Sequence, residues 1–166
     1  MDVTFKTPEG VFNYRVCGLL VHENKLLTMK NVVNGQEADY AYLPGGRVHL
    51  HETAEEAILR EMEEELNIPA KIARPLWLNE SFFPAENRET NVHELCFYFL
   101  MDHTGTDLLS YGQQFYRYDE ANNQFVFEWT PFEKLKEMNV YPGFIKEAIF
   151  DLPQQLTMHY EKEYDN

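Results

Sequence analysis

The sequence predicts a mixed α/β fold, and three observations carry that reading. Short apolar runs with strand-like alternation lie on both sides of one strongly periodic helix. Two further helix signals follow the last apolar run, enough to cover the faces of a mixed sheet. No break in composition divides the chain, so residues 1–166 are expected to form a single domain.

The elements follow in order. Pro8-Glu9-Gly10 punctuates two extended stretches, Val3–Thr7 and Val11–His22. Glu23-Asn24-Lys25 turns the chain into Leu26–Lys30, and a polar loop with Asn34-Gly35 leads to a strand at Tyr40–Leu43. Pro44-Gly45-Gly46 then precedes a helical pattern from Thr53 to Leu66. Strands are expected again at Ile72–Leu78 (bent by Pro75), His93–Met101 and Phe125–Trp129. Thr130-Pro131-Phe132-Glu133 reads as a capping box with proline at the first helical position, predicting a helix from Pro131 to about Met138. Pro142–Asp151 reads as a last helix, and the polar, Tyr-rich stretch from Asp102 to Gln124 carries no clear periodicity.

Composition narrows the function. Hydrophobic residues make up 44 % and charged residues 25 %, the balance of a globular chain. Against 14 Lys and Arg stand 28 Asp and Glu, a net charge of −14 that repels phosphate backbones and anionic lipid alike. Broad nucleic-acid or membrane-surface binding is therefore not expected. Such a chain can still handle a small phosphate ligand if a divalent cation stands between the two. The first apolar run, Val16–Val21, is too short to span a bilayer and lacks the basic leader of a signal peptide. Cys17 and Cys96 sit in apolar runs without a CxxC or Cys/His cluster, which suits buried thiols in a reducing cytoplasm.

The helix from Thr53 carries the chemistry. Thr53 and Glu56 form a second capping box, Asn67 suits a left-handed cap, and Pro69 prevents continuation, so the body runs near Ala54–Leu66. With Ala54 at zero on a wheel of about 100° per residue, Ala57, Ile58, Met62, Leu66 and Leu59 span an arc from about −60° to about 140°. Glu61 at about −20° and Glu65 at about 20° fall inside that arc, and Glu64 at about −80° lies on its edge. Glu56 and Glu63 point the opposite way. The three inward acids repel one another at i, i+3 and i+4 and stand at the helix end that disfavours negative charge. Arg60 alone cannot neutralise three carboxylates. A hard dication held by carboxylate oxygens, Mg²⁺ or Mn²⁺, resolves the conflict. The competing reading is a solvated acidic face.

These residues resemble the signature of the Nudix hydrolases, G-x5-E-x7-R-E-U-x-E-E-x-G-U with U apolar. Gly46 is followed by Glu52, then Arg60-Glu61, Met62, Glu63, Glu64, Glu65, Leu66, Asn67 and Ile68. One position departs, since Asn67 replaces the final glycine. Leu43-Pro44-Gly45-Gly46 and Trp129–Leu135 resemble the family's approach to the box and its late strand-to-helix segment. The resemblance implies an α/β/α sandwich with a mixed sheet and the box as loop–helix–loop. It implies catalytic roles for Glu52, Arg60, Glu61, Glu64 and Glu65, with Glu61, Glu64 and Glu65 holding Mg²⁺ or Mn²⁺ beside the Gly45 or Gly46 carbonyl. Glu52 and Arg60 would pair, keeping loop and helix in register. The implied reaction is hydrolysis of the pyrophosphate link in a nucleoside diphosphate joined to another group; the alternative is a Nudix-like sensor that binds a nucleotide without cleaving it.

Outside the box, Glu94, Glu128 and Glu80 are candidate general bases, beside a box glutamate. Arg47 is a candidate for substrate phosphate, and Phe83, like Phe82, Tyr111, Phe115, Tyr116 and Tyr118, for stacking on a base. His49-x-His51 lacks a third well-spaced zinc ligand. The expected partner is a small nucleotide diphosphate, with a homodimer left open.

Overall fold

A computed structural model describes residues 1–85 and 89–163. The strands are β1 (Thr4–Thr7), β2 (Gly10–Leu19), β3 (Val21–His22), β4 (Lys25–Val33), β5 (Gln36–Glu37), β6 (Gly45–Arg47), β7 (Lys71–Pro84), β8 (Asn91–Asp102), β9 (Gln114–Tyr118), β10 (Gln124–Pro131) and β11 (Thr157–Lys162). The helices are α1 (Ala54–Leu66), α2 (Phe132–Leu135) and α3 (Ile145–Ala148).

Two sheets share these strands. The first has the order β1-β2-β8-β7-β11, with β6 paired to β2 beyond β1. It is mixed: β2 runs parallel to β8 and β11 parallel to β7, while β1 and β6 are antiparallel to β2, and β7 to β8. The second, β3-β4-β10-β9 with β5 on β4, is antiparallel throughout. Alternation along β2 divides the core, because successive side chains leave opposite faces. Val16 packs with Ile58, Met62 and Leu66 of α1 and with Met29 and Phe127 of the second sheet. Cys17 and Leu19 face the other way, toward Trp77, Tyr98, Leu135 of α2 and Ile145 of α3. Helices thus cover both faces, as the sequence predicts.

Helix α1 keeps its expected bounds, and the strand from Val11 runs only to Leu19 before a break at Leu20. Other elements differ. Tyr40–Leu43 contributes isolated bridges, Tyr42 to Met29 and Ala41 to Val140, in place of a strand. Strand β7 extends well past Leu78, and its register slips on both sides of Pro75, where the missing N–H breaks the ladder. The helix expected from Pro131 to Met138 shortens to α2 because Pro131 still pairs with Lys25 as the last residue of β10. The Thr130 capping box does not form: its hydroxyl is buried 2.9 Å from that of Thr28. Strand β9 and a short 3-10 turn at Leu108–Tyr111 occupy the stretch without periodicity. Strand β11 carries no apolar run; only its place beside β7 makes it a strand.

Candidate active site

Local chemistry sets the position of α1. The Thr53 hydroxyl accepts from the Glu56 N–H at 3.1 Å, and the Glu56 carboxylate accepts from the Thr53 N–H at 2.8 Å, closing the expected capping box. At the far end Asn67 sits at φ 54°, ψ 44°, the left-handed cap that the family glycine would supply. Its N–H donates to the Glu63 carbonyl at 2.9 Å.

The two glycines of β6 let that strand pass between β2 and α1. Gly45 lies at φ 154°, and a methyl group there would collide with the Val16 carbonyl. A methyl on Gly46 would collide with the Glu61 carboxylate instead. The box therefore begins where the backbone must run close under a buried acid.

Arg60 organises the carboxylates. Its Nε and Nη2 donate to the two oxygens of Glu52 at 2.8 and 3.0 Å, and Nη2 also reaches the Arg47 carbonyl at 3.1 Å. Its Nη1 lies between Glu61 Oε1 at 2.8 Å and Glu64 Oε2 at 3.1 Å. Glu65 turns away from this guanidinium and accepts the Gly45 N–H at 2.9 Å. The inward placement of Glu61 and Glu65 holds: Glu61 is 9 % exposed, Glu65 is half-buried, and Glu64 lies at the solvent edge. Leu59 does not join the apolar arc; it is 39 % exposed, because the sheet covers a narrower stripe than the wheel suggested.

Electrostatics divide the acids. Hydrogen bonds from Arg60 hold the Glu52 carboxyl down at about 2, well below the ordinary range. Burial pushes Glu61 up, against the pull of Arg60. Burial followed by the nearby Glu61 charge raises Glu65 well above the usual carboxylate range.

Among the described residues, no three acidic, histidine or cysteine side chains already converge on one point. The donor set nevertheless suits a hard cation. Two carboxylates of α1 close on a cationic nitrogen, a third stands one turn away, and every donor is oxygen. Glu61, Glu64 and Glu65, with a β6 carbonyl, could hold Mg²⁺ or Mn²⁺ in place of Nη1.

A cavity of about 330 Å³ opens on this cluster, lined by Asp2, Arg15, Gly46, Arg47, His49, Arg60, Glu61 and Glu64. Arg47 lines this cavity, whereas Phe83 does not and lies on β7 opposite Val92. Of the three outlying acids, Glu80 is paired with His93 at 2.7 Å and Glu128 with Lys134 at 3.7 Å. Glu94 is held above its ordinary range by burial and lies in the field of Arg15 and Arg47. Tyr111 and Phe115 pack against each other at 5.2 Å, and Phe115 stacks on Phe127. The imidazole of His49 is near Asp2, at 3.4 Å, and the two free cysteines are buried with their sulfurs 3.7 Å apart. Sequence reasoning passed over Arg15, although a lone base inside the apolar run from Tyr14 to Leu20 was a visible signal.

The NUDIX domain family matches residues 12–148, and the chain belongs to it. A curated relative, the ADP-ribose pyrophosphatase of Methanocaldococcus jannaschii, is 32 % identical over 93 residues, 56 % of this chain and 52 % of the relative. The chain thus spans about half the length of the curated relative it matches. Among solved structures, the MutT protein of Bacillus halodurans superposes with a TM-score of 0.58 at 12 % identity, covering 90 % of this chain and 89 % of that one. An ADP-ribose pyrophosphatase of Streptococcus suis gives 0.55 at 13 % identity, covering 89 % and 98 %. Both likenesses speak for the fold alone. No helix among the described residues is long and apolar enough to cross a membrane.

Proposed function

We propose that this chain is a divalent-metal-dependent pyrophosphohydrolase, cleaving the phosphoric anhydride of a nucleoside diphosphate joined to a second group. One observation carries the reading: Glu61 and Glu65 are withdrawn from water on the same side of α1, and Glu61 with Glu64 lines a cavity that a phosphate can enter. Two like charges there are costly unless a cation joins them. Family membership supports the reaction class, and the curated relative's name makes ADP-ribose the first substrate to test.

Glu61, Glu64 and Glu65 hold Mg²⁺ or Mn²⁺. The ion, when bound, neutralises charge on the scissile phosphates and makes water a stronger nucleophile. Glu52 keeps Arg60 in register with the β6 loop, which in turn sets the azimuth of Glu61. The site also needs a group to accept the proton of the attacking water. Glu94 is our choice: Glu80 and Glu128 are engaged by His93 and Lys134, whereas Glu94 lies beside Asn13 in the field of Arg15 and Arg47, with its carboxyl raised by burial. A buried carboxyl with a raised pKa is the better base near neutral pH. The unlinked buried thiols fit a cytoplasmic setting.

The test is product formation from a nucleotide panel led by ADP-ribose, with Mg²⁺, by wild type and Glu64→Gln. Turnover that falls at least about 100-fold in the variant is expected, the scale for loss of a group acting in the transition state. Tight nucleotide binding without turnover in the wild type would instead identify a sensor.

A further inference from the structure

Helix α1 covers one face of the first sheet only in part, over Val16 and Phe99, while α2 and α3 pack on the opposite face with Trp77 and Tyr98. Directly opposed residues of neighbouring strands share a face, so the register reads straight across the sheet. Phe5 on β1, Phe12 on β2, His93 on β8, Phe82 on β7 and Lys162 on β11 stand in one such row. Their rings meet in sequence, with centroids 6.1 Å apart for Phe5 and Phe12, 5.5 Å for Phe12 and His93, and 4.4 Å for His93 and Phe82. The Lys162 ammonium ends the row, 5.4 Å from the Phe82 ring. Two residues further along each strand lie Tyr14, Leu95, Glu80 and Tyr160, and beyond them Leu78 and Met158. Phe5 is 57 % and Tyr160 63 % exposed, and the rings between them are half-buried. A contiguous apolar patch of this kind marks an interaction site.

Charge and shape select the occupant. The chain carries a net charge of −14, so copies meeting elsewhere repel. On this face the one carboxylate among the named residues, Glu80, is paired with His93 at 2.7 Å. We propose that two copies of this chain associate here, sheet against sheet. A twofold axis along the strands reverses the row in the second copy, so Lys162 of each copy meets the Phe5 ring of the other. Five strands about 4.8 Å apart and three side-chain rows about 6.8 Å apart give roughly 500 Å² per copy, or about 1,000 Å² for the pair. That is the lower limit of a specific interface, so the dimer is weak, with Kd on the order of 1–100 µM. Its formation needs neither metal nor nucleotide, so the proposal stands apart from the pyrophosphohydrolase reading.

Sedimentation velocity of the full chain between about 1 and about 500 µM tests this. Wild type should pass from the 19.7 kDa monomer to a species of twice that mass and stop there, because an isologous contact closes on itself. Phe5→Asp and Tyr160→Asp set new carboxylates on the face at exposed positions and should each weaken association at least about tenfold. Val33→Asp, at an exposed position on β4 of the second sheet, should leave it unchanged. A wild type that stays monomeric at every concentration overturns the proposal and leaves the face to a different partner. Growth past the dimer overturns it too, as does loss of the dimer in Val33→Asp. Association by folded Phe5→Asp or Tyr160→Asp within twofold of wild type has the same force. Should neither of those fold, undiminished association in Lys162→Glu overturns it instead.

Discussion

Arg60 meets Glu52 fork to fork, Nε to Oε1 at 2.8 Å and Nη2 to Oε2 at 3.0 Å, tying the start of the box to its helix. Both side chains are mostly shielded, at 22 % and 15 % exposure. Removing one partner should therefore cost about 2 kcal/mol or more. The carboxyl falls from an ordinary 4.5 to about 2, so its contribution is complete above 4.5 and lost as pH drops toward 2. Glu52→Gln should be less stable than wild type at pH 7, with the gap closing by about pH 2 to 3. Urea unfolding across that range checks this, and a constant gap would contradict the pairing.

Glu65 should show the opposite sign. Its carboxyl is raised by burial, so the folded chain binds that proton more tightly than the unfolded one. Stability is then greatest at low pH and is lost as pH rises through the raised value. In EDTA at neutral pH, Glu65→Gln should melt higher than wild type by about 2–4 °C, the shift expected for about 1 kcal/mol at this size. Adding Mg²⁺ should raise the wild-type midpoint and leave the variant nearly unmoved. A variant that gains as much from Mg²⁺ as wild type would remove Glu65 from the ion site.

The two glycines of β6 should fail differently. Gly45→Ala sets a methyl against the backbone of β2 and forces an unfavourable φ, so about 2 kcal/mol or more of stability should go. Gly46→Ala meets only the end of the Glu61 side chain, which can swing aside. Its stability should stay within about 1 kcal/mol of wild type while turnover drops about 100-fold through misplacement of the carboxylate. Paired melting curves and rate assays distinguish the cases. Equal stability losses in both would refute the assignment.

Among the outlying acids, Glu94→Gln should lower kcat by about 10² to 10⁴, the usual contribution of a general base. Glu80→Gln and Glu128→Gln should remain within a few-fold of wild type, because His93 and Lys134 already occupy those carboxylates. Steady-state kinetics on one responsive substrate decide this. A near-normal kcat in Glu94→Gln would move the base into the box.

Asn67 sits in left-handed backbone at φ 54°. Asn67→Gly should be neutral or slightly stabilising, whereas Asn67→Val, β-branched and strained there, should cost about 1 kcal/mol or more. Chemical denaturation of both reads the difference.

Much of the site is legible in the sequence. The wheel placed Glu61 and Glu65 inward and Glu56 and Glu63 outward because helical period is a local property, enforced by hydrogen bonds four residues apart. The capping box at Thr53 and the cap at Asn67 are local as well, and both formed as expected. The Thr130 box failed for a reason outside its own four residues: Thr28 on β4 takes its hydroxyl, and β10 keeps Pro131. Leu59 reads as core on a wheel, yet the fold leaves it 39 % exposed.

The sequence by itself determined the helix of acids, its two ends, the glycines before it and the family those residues define. Each of these depends on chain neighbours within a few positions. Only the tertiary structure decided that Arg15 would stand against Arg47, that Glu94 rather than Glu80 or Glu128 would face their charge, and that Thr157–Lys162 would form an edge strand. Those outcomes join segments tens of residues apart, where sheet register and burial, not local period, set which side chains meet.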